Sequence, residues 1–132
     1  EVGNPPSFTP YVVLDSSRIV TYPEGLELYI VKSGWGDYPQ NGDNVLLHYQ
    51  GMLQNGSVFD DSYRRDEPLV FKMGSGRIIP GMEAGLKKIR YGTQAILSIP
   101  PRLGYGSGKD KTPSNIPRDA TLTFHIHLLG NF

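Results

Sequence analysis

No cysteine occurs anywhere in the 132 residues. Disulfide staples, thiolate nucleophiles and cysteine-based zinc sites are therefore excluded. No apolar run approaches the roughly 20 residues that a membrane-spanning helix requires. Neither sign of charge prevails: thirteen Lys and Arg offset thirteen Asp and Glu, so no overall field draws the chain to nucleic acid or to an anionic membrane. A Gly-x-Ser-x-Gly elbow is missing, and Ser57, Ser62, Ser75 and Ser98 fall in plain strand or turn contexts, so covalent catalysis is not expected. What is plentiful is glycine (16) and proline (11), which predicts a turn-rich, mostly β fold in one domain.

Taken in order, the chain starts at Glu1 rather than Met, which reads as a processed or trimmed product. Residues 1–23 form a Pro-rich arm or tether, with Pro5, Pro6 and Pro10 keeping it extended. Residues 24–132 form the domain. Strands are expected at 26–31, 44–53, 58–60, 69–73, 93–100 and 121–129. The run 44–53 is the strongest, with Val45, Leu47, Tyr49 and Leu53 on one face and Leu46, His48 and Met52 on the other. Apolar residues on both faces predict a central, covered strand. Asn55-Gly56 predicts the hairpin turn that follows it. Residues 61–67 read as a polar loop, and 101–117 as a long loop carrying Tyr105.

One short helix is expected over 80–89. Proline suits its first position, where the missing N–H has no intrahelical partner. Met82, Leu86 and Ile89 recur at helical spacing, with Glu83, Lys87 and Lys88 opposite, and Tyr91-Gly92 should end it. No second helix is expected.

Three constellations could carry chemistry. Gly74-Ser-Gly76 lies between a strand and a helix, as a nucleotide loop would, but no Lys-Ser or Lys-Thr follows and isoleucines occupy the approach. It reads instead as a tight turn needing positive φ. His125 and His127 share a strand face and His48 lies on another strand. Zinc wants three or four ligands, so the alternative is a solvated or locally bonded sheet face, and no metal is expected. Last, Tyr49, Phe59, Phe71, Tyr105 and Phe124 are phased toward the helix, with Asp60 beside Phe59 and Ile78-Ile79 at the helix entrance. Spacing alone leaves two readings open, an apolar ligand cup or a plain aromatic core.

Six runs appear in order: Val45-Leu-Leu-His-Tyr-Gln-Gly-Met-Leu53, Asn55-Gly-Ser-Val-Phe-Asp-Asp-Ser62, Pro68-Leu-Val-Phe-Lys-Met-Gly74, Ile78-Ile-Pro-Gly-Met-Glu-Ala-Gly-Leu86, Ile99-Pro-Pro-Arg-Leu-Gly-Tyr-Gly106 and Ile116-Pro-Arg-Asp-Ala-Thr-Leu-Thr-Phe124. Together they make residues 26–130 similar to the FKBP-type peptidyl-prolyl cis-trans isomerase family. The resemblance implies an α+β fold, a curved antiparallel sheet of about five strands wrapped around one short helix. It implies an enzyme (a rotamase) that assists protein folding without a cofactor. Its partners would be proline-containing polypeptides and rapamycin-type macrolides.

Carried over by position, Tyr49, Phe59, Asp60, Ile79, Tyr105 and Phe124 would act on substrate. Phe71, Ile78, Met82, Ile116 and Arg65 would help to bind it. The backbone N–H of Ile79 and the hydroxyl of Tyr105 would hydrogen-bond ligand carbonyls, and Arg65 would approach Asp60 and Tyr49. Met82 stands where the family usually has tryptophan and Leu69 where phenylalanine is common. These departures bear on affinity and rate more than on fold, and the alternative they raise is a catalytically weak, chaperone-like module that binds proline peptides or client proteins. The Pro-rich arm and the lack of cysteine favour a periplasmic or membrane-tethered exported bacterial protein over a cytoplasmic one.

Overall fold

The computed structural model describes residues 15–107, 113 and 115–132. Most of the expected arm, residues 1–14, lies outside the described residues, as do 108–112 and 114 of the long loop. Seven strands form one antiparallel sheet: β1 (Val20–Thr21), β2 (Glu27–Lys32), β3 (Asn44–Leu53), β4 (Val58–Asp61), β5 (Leu69–Lys72), β6 (Gln94–Ile99) and β7 (Leu122–Asn131). Their order is β1-β2-β6-β7-β3-β4, with β5 also paired to β3. Two helices interrupt the strands, α1 (Ser62–Arg65) and α2 (Pro80–Leu86).

The long alternating runs occupy the middle of the sheet. β3 pairs with β7 along its whole length, from Val45↔Asn131 to Leu53↔Leu122. On its other side the first half of β3 pairs with β5 and the second half with β4. The inward set Val45, Leu47 and Tyr49 is buried, as alternation requires. The outward set is covered only in part. His48 is 3% exposed because the Tyr63 ring of α1 stacks on it at 4.6 Å, whereas Leu46 and Met52 keep partial access to solvent.

α2 lies against the inner face of the sheet and buries Gly81, Met82, Gly85 and Leu86. Its two glycines, four apart, touch β6. A methyl at Gly81 would lie 2.5 Å from Ile99 Cγ2, and one at Gly85 would lie 2.3 Å from Leu97 Cδ2. The helix thus seats its backbone on the strand, and Met82 and Leu86 fill the space on either side. Burial of each such large apolar side chain contributes about 1.5–3 kcal/mol. Leu26, Leu47, Leu97, Leu122 and Leu128 complete a continuous core.

Three expectations need correction. The helix ends at Leu86 rather than Ile89. Lys87 N still reaches Glu83 O at 3.2 Å, but the following two amides bond to i−3 carbonyls, Lys88 N to Gly85 O at 3.0 Å and Ile89 N to Leu86 O at 3.4 Å, so Ile89 is buried by a tightened turn. Residues 61–67 are not all loop: Asp61 caps α1 by accepting from Arg64 N at 3.1 Å. The sheet has seven strands, not about five. The extra pairing includes β1, which falls inside the stretch read as arm and joins β2 at Val20↔Leu28. A 3-10 turn, Ser16–Arg18, precedes β1, and Arg18 lies over the Tyr29 ring at 4.8 Å.

Candidate functional site

Between α2 and the β4 end of the sheet lies an open cavity of about 320 Å³. β3 supplies Tyr49, β4 Phe59 and Asp60, and β7 Phe124. Ile78 and Ile79 come from the entrance to α2 and Met82 from its first turn, with Tyr105 in a 3-10 turn of the long loop. Three of the rings are mutually braced. Phe59 meets Phe124 edge-on at 5.6 Å and 89°, and Tyr49 meets Phe124 at 5.9 Å and 57°. Edge-to-face contact of this kind is favourable beyond the area it buries.

Gly51 permits this arrangement. It sits on β3 opposite Phe124 of β7 and Asp60 of β4. A Cβ there would lie 2.5 Å from Phe59 Cζ and 2.9 Å from Phe124 Cε1. The missing side chain is the room that the two rings occupy.

The rim is polar on one side. The Tyr49 hydroxyl donates to Asp60 Oδ2, Arg65 donates to Asp60 Oδ1, and the Asp61 amide donates to the same oxygen at 2.9 Å. Burial, reinforced by the bond to Asp60, pushes the Tyr49 hydroxyl up to about 12, so it stays a donor at neutral pH. Arg65 and Asp60 form a half-exposed ion pair, a geometry worth at most about 1 kcal/mol. Behind Tyr49, Ser62 Oγ accepts from the Tyr49 amide at 2.7 Å and lies 2.8 Å from His48 Nδ1. That bond clamps α1, and with it Arg65, to β3.

The opposite wall is held by an internal anion. Gly74 and Gly76 have φ of +84° and +73°, and both amides donate to the Glu83 carboxylate, Gly76 at 3.2 Å. The Gly-Ser-Gly turn that resembles a phosphate loop therefore binds a side chain of its own helix. This fixes Arg77, Ile78 and Ile79 against α2. The Ile79 carbonyl accepts from Met82 N at 3.0 Å, while its own N–H has no acceptor among the described residues. Among the described residues, that leaves an amide donor with no protein acceptor on a 6% exposed residue of the cavity wall.

Tyr49, Phe59, Asp60, Ile78, Ile79, Met82, Tyr105 and Phe124 all line the cavity. Phe71 and Ile116 do not; both are buried in the core, at 5% exposure. Arg65 is not in the lining and reaches the cavity through Asp60 and the Tyr49 hydroxyl. Two lining residues were not among the expected site residues, Leu69 and Arg77. Leu69 shares its strand face with Phe71 and was legible by phase. Arg77 is exposed on a loop, and only its place directly before Ile78 could have marked it. The three histidines do not form a metal centre, and no group of three or more His, Cys, Asp or Glu among the described residues is arranged to hold one.

Comparison with known proteins is consistent along the chain. A family model described as FKBP-type peptidyl-prolyl cis-trans isomerase matches residues 36–129. "FK506-binding protein 1" of Dictyostelium discoideum is 41% identical over 105 residues, 80% of this chain and 96% of that protein. The crystal structure of FkpA from Escherichia coli superposes with a TM-score of 0.79 at 38% identity, over 89% of this chain and 53% of that one. The structure of AtFKBP13 gives a TM-score of 0.77 at 32% identity, over 86% of this chain and 98% of that one.

Proposed function

The chain belongs to the FKBP-type peptidyl-prolyl cis-trans isomerase family, whose members accelerate rotation about X–Pro amides, and on that premise we propose how its cavity does so. The barrier to be lowered is about 18–20 kcal/mol and arises from the partial double bond of the amide. Left alone, the rotation takes tens to hundreds of seconds. No covalent bond to substrate is needed. The proline ring seats between Phe59 and Phe124, with Tyr49 at the side and Met82 beneath. The Ile79 N–H takes the carbonyl of one flanking residue, and the Tyr105 hydroxyl closes the mouth. Asp60, held between Tyr49 and Arg65, polarises the rim. Phe71 and Ile116 support the walls from the core.

As the amide twists it loses conjugation and polarity, and an apolar, water-poor cup suits that state better than the planar one. Each tenfold gain in rate needs about 1.4 kcal/mol of such preference. Fixed rings supply it without being reordered during the reaction. Braced apolar walls beside one unpaired amide donor are the observation that carries this reading. The same cup would take FK506- and rapamycin-type macrolides, which present a ring and carbonyls to it.

Phe124→Ala removes a wall. It should cut kcat/KM on a short X–Pro peptide by about tenfold or more. The protein should stay folded but lose about 3–5 kcal/mol of stability. Unchanged turnover would overturn the assignment of the cavity. Met82 supports a second reading. A flexible thioether defines a floor less sharply than a rigid ring, and binding of proline peptides without acceleration would favour a client-binding module. In both readings the domain spans residues 24–132, and residues 1–23 serve as a tether that adds β1 to the sheet. That Pro-rich arm and the absence of cysteine support an exported, tethered setting; recovery of the full chain in a cytoplasmic fraction would count against it.

A further inference from the structure

Ile78 lines more than the ring-walled cavity. Ile78 is also in the wall of a second depression, about 360 Å³, lined with it by Gly76, Pro80, Glu83, Ala84, Lys87 and Lys88. A polypeptide with its proline in the ring-lined cup and running out past Ile78 enters this depression within a few residues, since an extended chain advances roughly 3.3–3.6 Å per residue.

Charges along the two sides are unequal. On the β4 side Asp60 and Arg65 neutralise one another. On the α2 side Lys88 is held by Glu24 at 3.3 Å and lies over the Tyr22 ring at 4.6 Å. Arg77 and Lys87, in contrast, are exposed and have no ion-pair or side-chain hydrogen-bond partner among the described residues. Glu83 is the acid in this wall, and its oxygens face the Gly74 and Gly76 amides. Among the described residues, two unpaired cations therefore flank Ile78, Arg77 on the ring-lined cavity and Lys87 on the second depression, against one anion already bound to backbone amides.

We propose that the second depression is a subsite for the substrate segment flanking the proline, and that Arg77 and Lys87 make it prefer an acidic side chain there. The inference rests on the reading of the ring-lined cup as the proline site. It also specifies where the preference acts. Twisting the amide moves no charge near Arg77 or Lys87, so their attraction is equal for the ground and transition states. Such uniform binding lowers KM and leaves kcat alone.

The test uses peptides with one X–Pro core and Glu, Gln or Lys placed a few residues away on either side. On the favoured side, the Glu peptide should exceed the Lys peptide in kcat/KM by about threefold to tenfold at low salt, the range expected for two exposed charge contacts. The difference should lie in KM and fade in high salt. Arg77→Gln/Lys87→Gln should remove the preference, and Arg77→Glu/Lys87→Glu should invert it, each ratio being taken within one variant. Equal turnover of the Glu and Lys peptides by the unaltered protein overturns the subsite, as does a preference that survives both double substitutions. If even the Gln peptide is not accelerated by the unaltered protein, the proline site itself fails, and the subsite with it.

Discussion

The two halves of β3 treat the space beneath them in opposite ways. In the half paired with β5, Val45 and Leu47 are fully buried, and with Phe71, Leu86 and Leu128 they form solid core. In the half paired with β4 the inward positions are Tyr49 and Gly51, and a cavity of about 320 Å³ remains. Branched aliphatics mould to their neighbours and fill a gap. Flat rings braced edge to face stand as walls, and a glycine behind them sets how far back they stand. The site is therefore made by a change of residue type along one strand, while pairing to β7 continues along both halves, with one register shift between Leu46 and Leu47.

The largest test of that contrast is Leu47→Ala. It should cost about 2–5 kcal/mol, read from the midpoint of urea unfolding. Turnover per folded molecule should change little. If activity per folded molecule fell as far as in Phe124→Ala, the distinction between the halves would be erased.

Gly51→Ala acts on the other half. Overpacking should cost about 1–3 kcal/mol, less than the loss at Leu47, but push Phe59 and Phe124 into the cavity. We expect about a tenfold loss of kcat/KM in this variant. Full activity would show that the ring positions do not matter.

Acid should loosen the middle of the strand. Burial lowers the pKa values of His48, His125 and His127 below the ordinary histidine value of 6.5. Below 6.5 the unfolded chain then binds more protons than the folded one. The stability is fully present above that pH and falls as the pH drops from 6.5 through the lower folded values. Urea unfolding at pH values between about 7.5 and 5 should trace the decline. A flat profile would contradict the burial of these rings.

The smallest effect belongs to the rim. Arg65→Ala should change stability by less than about 1 kcal/mol, because the pair with Asp60 is half-exposed. A larger loss would mean that the ion pair, rather than Ser62, holds α1 in place.

Alternation made β3 legible to its end residues, because one buried face and one half-covered face leave a strong period of two. The same phasing placed Tyr49, Phe59 and Phe124 on the cavity side. It could not separate them from Phe71, since phase reports which face a side chain takes and not how deep along the strand the space opens. Ile116, a loop residue, has no phase at all. α1 is a single turn, too short to show a helical period. β1 is two residues long and exists only through its pairing with β2. Arg77 carries no signal of burial or period, and its place at the cavity emerges only when the Glu83 latch fixes the loop.

Among the described residues, neither rim of the sheet offers a long ladder of free amides. One ends in a strand of two residues, and the other is cut into β4 and β5 by α1, four residues each. Val58 and Val70 are exposed on that broken rim, where an unbroken edge would be a template for aggregation. A molecule that handles incompletely folded chains meets loose strands constantly. By splitting its border, this one can grip such a chain at a proline without becoming a nucleus on which the rest of it polymerises.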